Sequence, residues 1–231
     1  MPTPTYFGIK APTDPKAVND IVFSDGSATP YTSGLTLTNA QKNAAVAYIF
    51  YKGTECSNDT TSRTLGVGLR RSASTMQWCL QTANGNYTIY SIICLPSESA
   101  GAYTFVGDKN GSDNLSDIEA DSNDTGIVGN YPTFDYAKNY GITNGCTGVY
   151  ASGWYLSTVA ELYQIYNLRT NIDTAATLCG LTGMFSSIRF WSSSQHGYGV
   201  NLAYILNFIT GIYSNDELKQ SNANVCAVRE F

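Results

Sequence analysis

Near the C-terminus the mostly apolar run Leu202-Ala-Tyr-Ile-Leu-Asn-Phe-Ile209, broken by one Asn, predicts a strand. Its two-residue period sends Tyr204, Leu206 and Phe208 to one side and Ala203, Ile205, Asn207 and Ile209 to the other. The first set suits a core, so the second is expected to face outward, its isoleucines forming part of an apolar recognition patch. Burial on both faces is the alternative that length and pattern leave open. Val225-Cys-Ala-Val-Arg-Glu-Phe231 lacks the alternation and suits a strand covered on both sides. Residues 189–192 supply a further strand, and residues 20–23 a short one closed by an Asp25-Gly26 turn.

Helical spacing appears twice. Thr38 and Gln41 have capping-box spacing ahead of Ala44, Ala45, Ala47, Tyr48 and Ile49, which predicts a helix over 38–50. Thr158 and Glu161 repeat the box and open a helix to about residue 168, with Val159, Leu162 and Tyr166 on one side. A third, short helix over 172–178 is stopped by Gly180. Residues 53–125 read as loop-rich, with strands at 64–69, 77–80 and 87–95. Six acids between Asp108 and Asp124 predict a solvated loop, and Asp108-Lys-Asn-Gly-Ser-Asp113 places its glycine too early for an EF-hand. Together these elements predict an α+β fold of antiparallel sheets, two or three helices and long loops. No Pro- or Ser/Gly-rich linker divides residues 1–231, so one domain is expected.

Composition narrows the function classes. Charged residues make up 13% of the chain, against about 25% in average proteins, and polarity comes instead from Asn, Ser, Thr, Gly and 17 Tyr. Tyrosine gives rigid contact area with one polar end, which suits an exported recognition surface. A net charge of −5, with Arg70-Arg71 the one adjacent basic pair, argues against nucleic acid as a partner. No apolar run reaches the ~18 residues of a membrane span, and Met1-Pro-Thr-Pro-Thr5 resembles a trimmed linker, so export would require a signal upstream. The six cysteines lack metal-ligand spacing; separate buried thiols are expected, with disulfides the alternative in an exported protein. His196 is the sole histidine and no GxSxG motif is present, so neither catalytic residues, cofactor nor metal is expected.

Two frames, Trp191-Ser-Ser-Ser-Gln195 and Val225-Cys-Ala-Val-Arg-Glu-Phe231, bracket residues 196–224, which follow no single period. Upstream stand Gly153-Trp-Tyr-Leu156, Thr158-Val-Ala-Glu-Leu162, Asp20-Ile-Val-Phe-Ser-Asp-Gly26 and Asn130-Tyr-Pro-Thr-Phe-Asp-Tyr-Ala-Lys-Asn-Tyr140. Over most of its length the chain therefore resembles the treponemal variable proteins of diversity-generating retroelements. Ser157 departs from that family, which usually has a proline just before the helix. The resemblance implies a C-type-lectin-like fold, distantly related to formylglycine-generating enzymes. It also implies a non-enzymatic binding protein whose segment 196–224 is rewritten by adenine-directed mutagenesis.

On that resemblance the ligand surface takes three groups of residues. His196, Gly197, Tyr198, Gly199, Val200 and Asn201 form the loop after the first frame. Ala203, Ile205, Asn207 and Ile209 form the outward strand face, and Ile212, Tyr213, Ser214 and Asn215 the following turn. Trp191 is expected in the core. The ligand expected is a protein or other macromolecule, bound by a monomer displayed at the cell surface as a lipoprotein. One alternative is a formylglycine-generating oxidase, although its nearest cysteine pair, Cys79 and Cys94, lacks the short spacing of that chemistry. The other is a structural surface protein without a specific ligand. The Glu-Pro-Asn, Gln-Pro-Asp and Trp-Asn-Asp signatures of calcium-dependent sugar binding do not occur.

Overall fold

The computed structural model describes residues 5–88, 90–97, 100–121, 127, 129–182, 185 and 188–231. In chain order it holds β1 (Asp20–Phe23), β2 (Ala28–Pro30), α1 (Asn39–Ala44), β3 (Ala45–Gly53) and β4 (Arg63–Gly68). Then come β5 (Cys94–Pro96), β6 (Phe105–Gly107), α2 (Gly111–Glu119), α3 (Pro132–Lys138), α4 (Tyr140–Thr143) and β7 (Trp154–Leu156). The last third holds α5 (Val159–Leu178), β8 (Arg189–Gln195), β9 (Leu202–Asn207), β10 (Ile212–Leu218) and β11 (Ala227–Glu230). A six-stranded sheet runs β2-β1-β3-β4-β11-β7, a second runs β10-β9-β8, and β5-β6 forms a separate hairpin. Every ladder between these strands is antiparallel, so the chain is α+β, as its patterning predicts.

The first expected helix ends early. Its capping box forms, with Gln41 N–H donating to Thr38 Oγ1 and Thr38 N–H donating back to Gln41 Oε1 at 2.9 Å, but α1 stops at Ala44. From Ala45 the chain becomes β3, and its first seven residues are all buried. A run of Ala, Val, Tyr, Ile and Phe fits a helix core or a strand covered on both faces equally well. Pairing with β1 on one side and β4 on the other makes it a strand, since a central strand must fill both faces.

The second capping box forms as well, and α5 continues through both predicted helical segments to Leu178. Gly180 follows in the left-handed region at φ 77°, which ends the helix. Glu161 of the box is fully buried; it pairs with Arg63 of β4 at 3.0 Å and accepts from Tyr155 Oη at 3.0 Å. Arg63 also donates to the Cys56 carbonyl and to Glu230, so one guanidinium ties β4, β11 and the start of α5.

Two loop expectations are corrected. Residues 111–119 of the acidic stretch form α2, capped by the Asn110 side chain accepting from Ser112 N–H; residues 122–126 of that stretch lie outside the described ones. The strand expected at 77–80 is absent, and that at 87–95 survives as β5, with residue 89 outside the described set. Segment 72–86 instead folds over β8 and β9. Trp78 Nε1 donates to the Ser192 carbonyl, Trp191 Nε1 to the Met76 carbonyl, and Ser72 N–H to the Val225 carbonyl. No helix among the described residues is long and apolar enough to cross a membrane.

Candidate ligand-binding surface

The serine run after Trp191 anchors the region. Ser192 to Gln195 are fully buried, and each side chain has a partner. Ser192 Oγ donates to the Tyr204 carbonyl, Ser193 Oγ accepts from Asn114, and Ser194 Oγ accepts from the Val159 N–H at the start of α5. Gln195 clamps the neighbouring loop, accepting from Tyr90 N–H and donating to the Thr88 carbonyl. Trp191 is in the core, as expected. Buried hydroxyls with their bonds made fix the strand on which the loops stand.

Beyond this anchor the expected site residues separate. Tyr198 projects from its loop at 89% exposure, Val200 is exposed, and His196, Gly197, Gly199 and Asn201 are half-buried. The His196 ring lies 5.8 Å from Tyr198 and 5.6 Å from Tyr204, and its Nδ1 accepts from Tyr198 N–H. Ile209 and Ile212 flank the β9–β10 turn at 64% and 50% exposure. Asn207 shapes that turn, its Oδ1 accepting from Ile209 N–H at 2.9 Å. Gly211 completes it at φ 70°, where a Cβ would stand 2.5 Å from Tyr166 Oη. Ser214 is half-buried and bonded to Asp216, while the Asn215 side chain lies outside the described residues.

Ala203 and Ile205 do not face outward. Both are fully buried in a cluster with Trp191, Trp78 and Val225. The period of two is correct, since Tyr204, Leu206 and Phe208 belong to the other cluster. What the outward expectation lacked was segment 72–86, which covers this face of β8 and β9. Tyr213 is also mostly buried; its hydroxyl donates to the Val159 carbonyl, and burial holds its pKa well above the usual phenol range.

Tyr213 nevertheless reaches a cleft. A hollow of about 330 Å³ opens between the β5–β6 connection and the β9–β10 pair. Pro96, Ser97 and Tyr103 line it from one side, Tyr204, Ile212 and Tyr213 from the other. The Tyr103 and Tyr213 rings meet edge to face at 5.1 Å. Among the described residues no charged side chain lines this cleft. Tyr103 and Tyr204 were missed from sequence: the first belongs to a distant loop, and the second sits on the strand face assigned to the core.

Lys219 was missed too, and it holds the loop from beneath. It is fully buried, donating Nζ to the Gly85 and Val200 carbonyls and lying 4.7 Å from the Trp78 ring centre. Burial pushes its pKa down to about 8. Its neighbours Asp216, Glu217, Gln220 and Ser221 are polar, so the local pattern points to a solvated segment and nothing in it announces a buried lysine.

Among the described residues no group of three or more His, Cys, Asp or Glu is placed to hold a metal ion. Asp108, in the stretch weighed for calcium, accepts from Asn58 at 2.7 Å and from Asn110 N–H at 3.0 Å, and burial pushes its carboxyl up.

No family model and no curated protein matches the chain. Among solved structures it is similar to a fimbrial protein from Bacteroides ovatus ATCC 8483, with a TM-score of 0.64 and 14% identity. The match covers 94% of this chain and 49% of that one, so the chain spans about half the length of that structure. At this identity the likeness is one of fold.

Proposed function

We propose that this chain is the ligand-binding domain of an exported surface protein, built on a C-type-lectin-like scaffold. Its ligand sits on the cleft between Tyr103, Tyr204 and Tyr213 and on the adjoining Tyr198, Ile209 and Ile212. The observation that carries this reading is the contrast within 191–231. The buried runs 191–195, with the side chains of Ser192 to Gln195 all bonded, and 225–228 bracket loops that expose large apolar and aromatic side chains. Exposed Tyr and Ile beside a tyrosine-lined hollow give contact area at low entropic cost, as in antibody loops. Among the described residues its lining is rich in tyrosine, without carboxylate, cysteine or histidine, which suits recognition better than proton or acyl transfer.

Rewriting of 196–224 accords with this arrangement. Positions 198, 209 and 212 can change without disturbing a packed neighbour, whereas 203, 205 and 219 cannot. Surface display accords with the fimbrial neighbour, and a lipoprotein anchor on the precursor is the means we propose for it. The test is to pan the purified domain against arrayed glycans and proteins and to measure each hit with Tyr198→Ala and Ile212→Ala. Loss of binding at unchanged melting temperature supports the surface. Full binding by both variants places the ligand elsewhere.

A further inference from the structure

Arg70 and Arg71 follow β4 directly and, with Ser72, Leu181 and Thr182, line a hollow of about 310 Å³. Both are half-buried. Arg70 donates Nη1 to the Ala45 carbonyl at 3.1 Å, and Arg71 donates Nη1 to the Ser72 carbonyl at 3.1 Å. The ion pairs among the described residues involve Lys10, Arg63, Lys138 and Arg189, and neither of these two arginines. A guanidinium carries five N–H donors in a planar fork, so among the described residues most of each fork has no protein acceptor. Lys42 adds to the same corner. Burial raises the Cys179 thiol to about 11, and the fields of Arg70 and Lys42 pull it back down.

The nearby end of α5 does not account for the pair. Its last carbonyls are taken by backbone donors, Cys179 N–H to Ala175, Gly180 N–H to Thr177 and Leu181 N–H to Ala176. Neither arginine bonds to that helix. In a chain of net charge −5, two adjacent cations face a cavity with no carboxylate partner among the described residues. Its volume falls at the lower end of the roughly 300–1,000 Å³ of small-ligand sites, leaving room for whatever bears the charge.

We propose that Arg70 and Arg71 form an oxyanion site, which holds a phosphate, sulfate or carboxylate group in their paired forks. Planar forks match such groups with paired, charge-assisted bonds. This site uses the segment after β4 and the end of α5, so it is independent of the tyrosine cleft.

The test titrates the full chain with inorganic phosphate, sulfate and acetate at ionic strength held constant with chloride. The readouts are the Arg Nε–Hε NMR signals and the melting temperature. The expected result is saturable shifts confined to Arg70 and Arg71, with the most effective anion identifying the group. Arg71→Ala should weaken binding by about tenfold or more, Arg71→Lys by less, and exposed Lys52→Ala not at all. If Arg71→Ala does not fold, the wild-type titration decides alone. Linear shifts shared by other surface cations would overturn the site. So would Arg71→Ala lowering the melting temperature while leaving anion affinity intact.

Discussion

Ile205 shows how one side chain separates a binding surface from a core. It pairs with Trp191 across β8–β9 and has no exposed area, so truncation leaves a cavity that nothing nearby can fill. Ile205→Ala should cost about 2–5 kcal/mol, as should Leu206→Ala on the opposite face, while Tyr198→Ala should stay within about 0.5 kcal/mol of wild type. Denaturation curves of the three variants check this ranking; an Ile205→Ala as mild as Tyr198→Ala would return that position to the surface. Lys219 makes a pH-dependent prediction. Its pKa is about 8 folded and 10.5 in its ordinary state, so below pH 8 both states hold the proton and the cost of burying the charge is fully present. Between those values the unfolded chain keeps a proton that the folded one releases, so this contribution to stability rises with pH. Cys94 and Cys226, raised to about 12, act oppositely, because the unfolded chain ionises them first above about pH 9. The comparison with Lys219→Met removes that shared loss. Wild type should gain on the variant between about pH 8 and pH 10.5, measured by chemical denaturation across that range.

At the scale of elements, α5 is held at its start by more than a cap. Thr158 is fully buried and accepts from Glu161 N–H at 3.2 Å, while Glu161 meets Arg63 in an ion pair with little solvent access. Thr158→Ala should cost about 1–2 kcal/mol, the loss of an N-cap. Arg63→Met should cost more, about 3–5 kcal/mol, because it strands a buried carboxylate, and adding Glu161→Met should recover part of that loss. Melting curves of the two single variants and the double distinguish the effects. Equal losses for Thr158→Ala and Arg63→Met would mean that the ion pair adds nothing to the cap. Both capping boxes were legible from sequence, because four residues suffice to make one. The elements that followed them were not equally legible. α5 carries a buried side along its length, but the run after α1 is apolar on every side, and only its neighbours β1 and β4 make it a strand.

For the whole molecule, burial governs the chemistry of the thiols. All six cysteines are buried, and burial raises Cys56, Cys94, Cys146, Cys179 and Cys226 above the ordinary thiol value. A thiol-specific reagent should find essentially none in the native protein and all of them in denaturant. Fewer thiols in the denatured, unreduced protein would mean that disulfides had formed. The proposed display at the surface is checked by treating intact cells with protease, which should digest the protein before lysis.

The sequence by itself determined the α+β class, the two caps, the two-residue period of β9, the two-sided burial of Val225 to Val228 and the exposure of Tyr198, Ile209 and Ile212. These follow from contacts within a few residues or from a period that one strand can display. Tertiary structure decided which faces of β9 stay open, because the cover over Ala203 and Ile205 comes from a segment more than a hundred residues upstream. It also made the cleft, joining Tyr103 to Tyr204 and Tyr213, and it placed Lys219 beneath the loop. Each of these depends on long-range packing between segments whose own patterns are irregular, and an irregular segment carries no local signal of what it will cover.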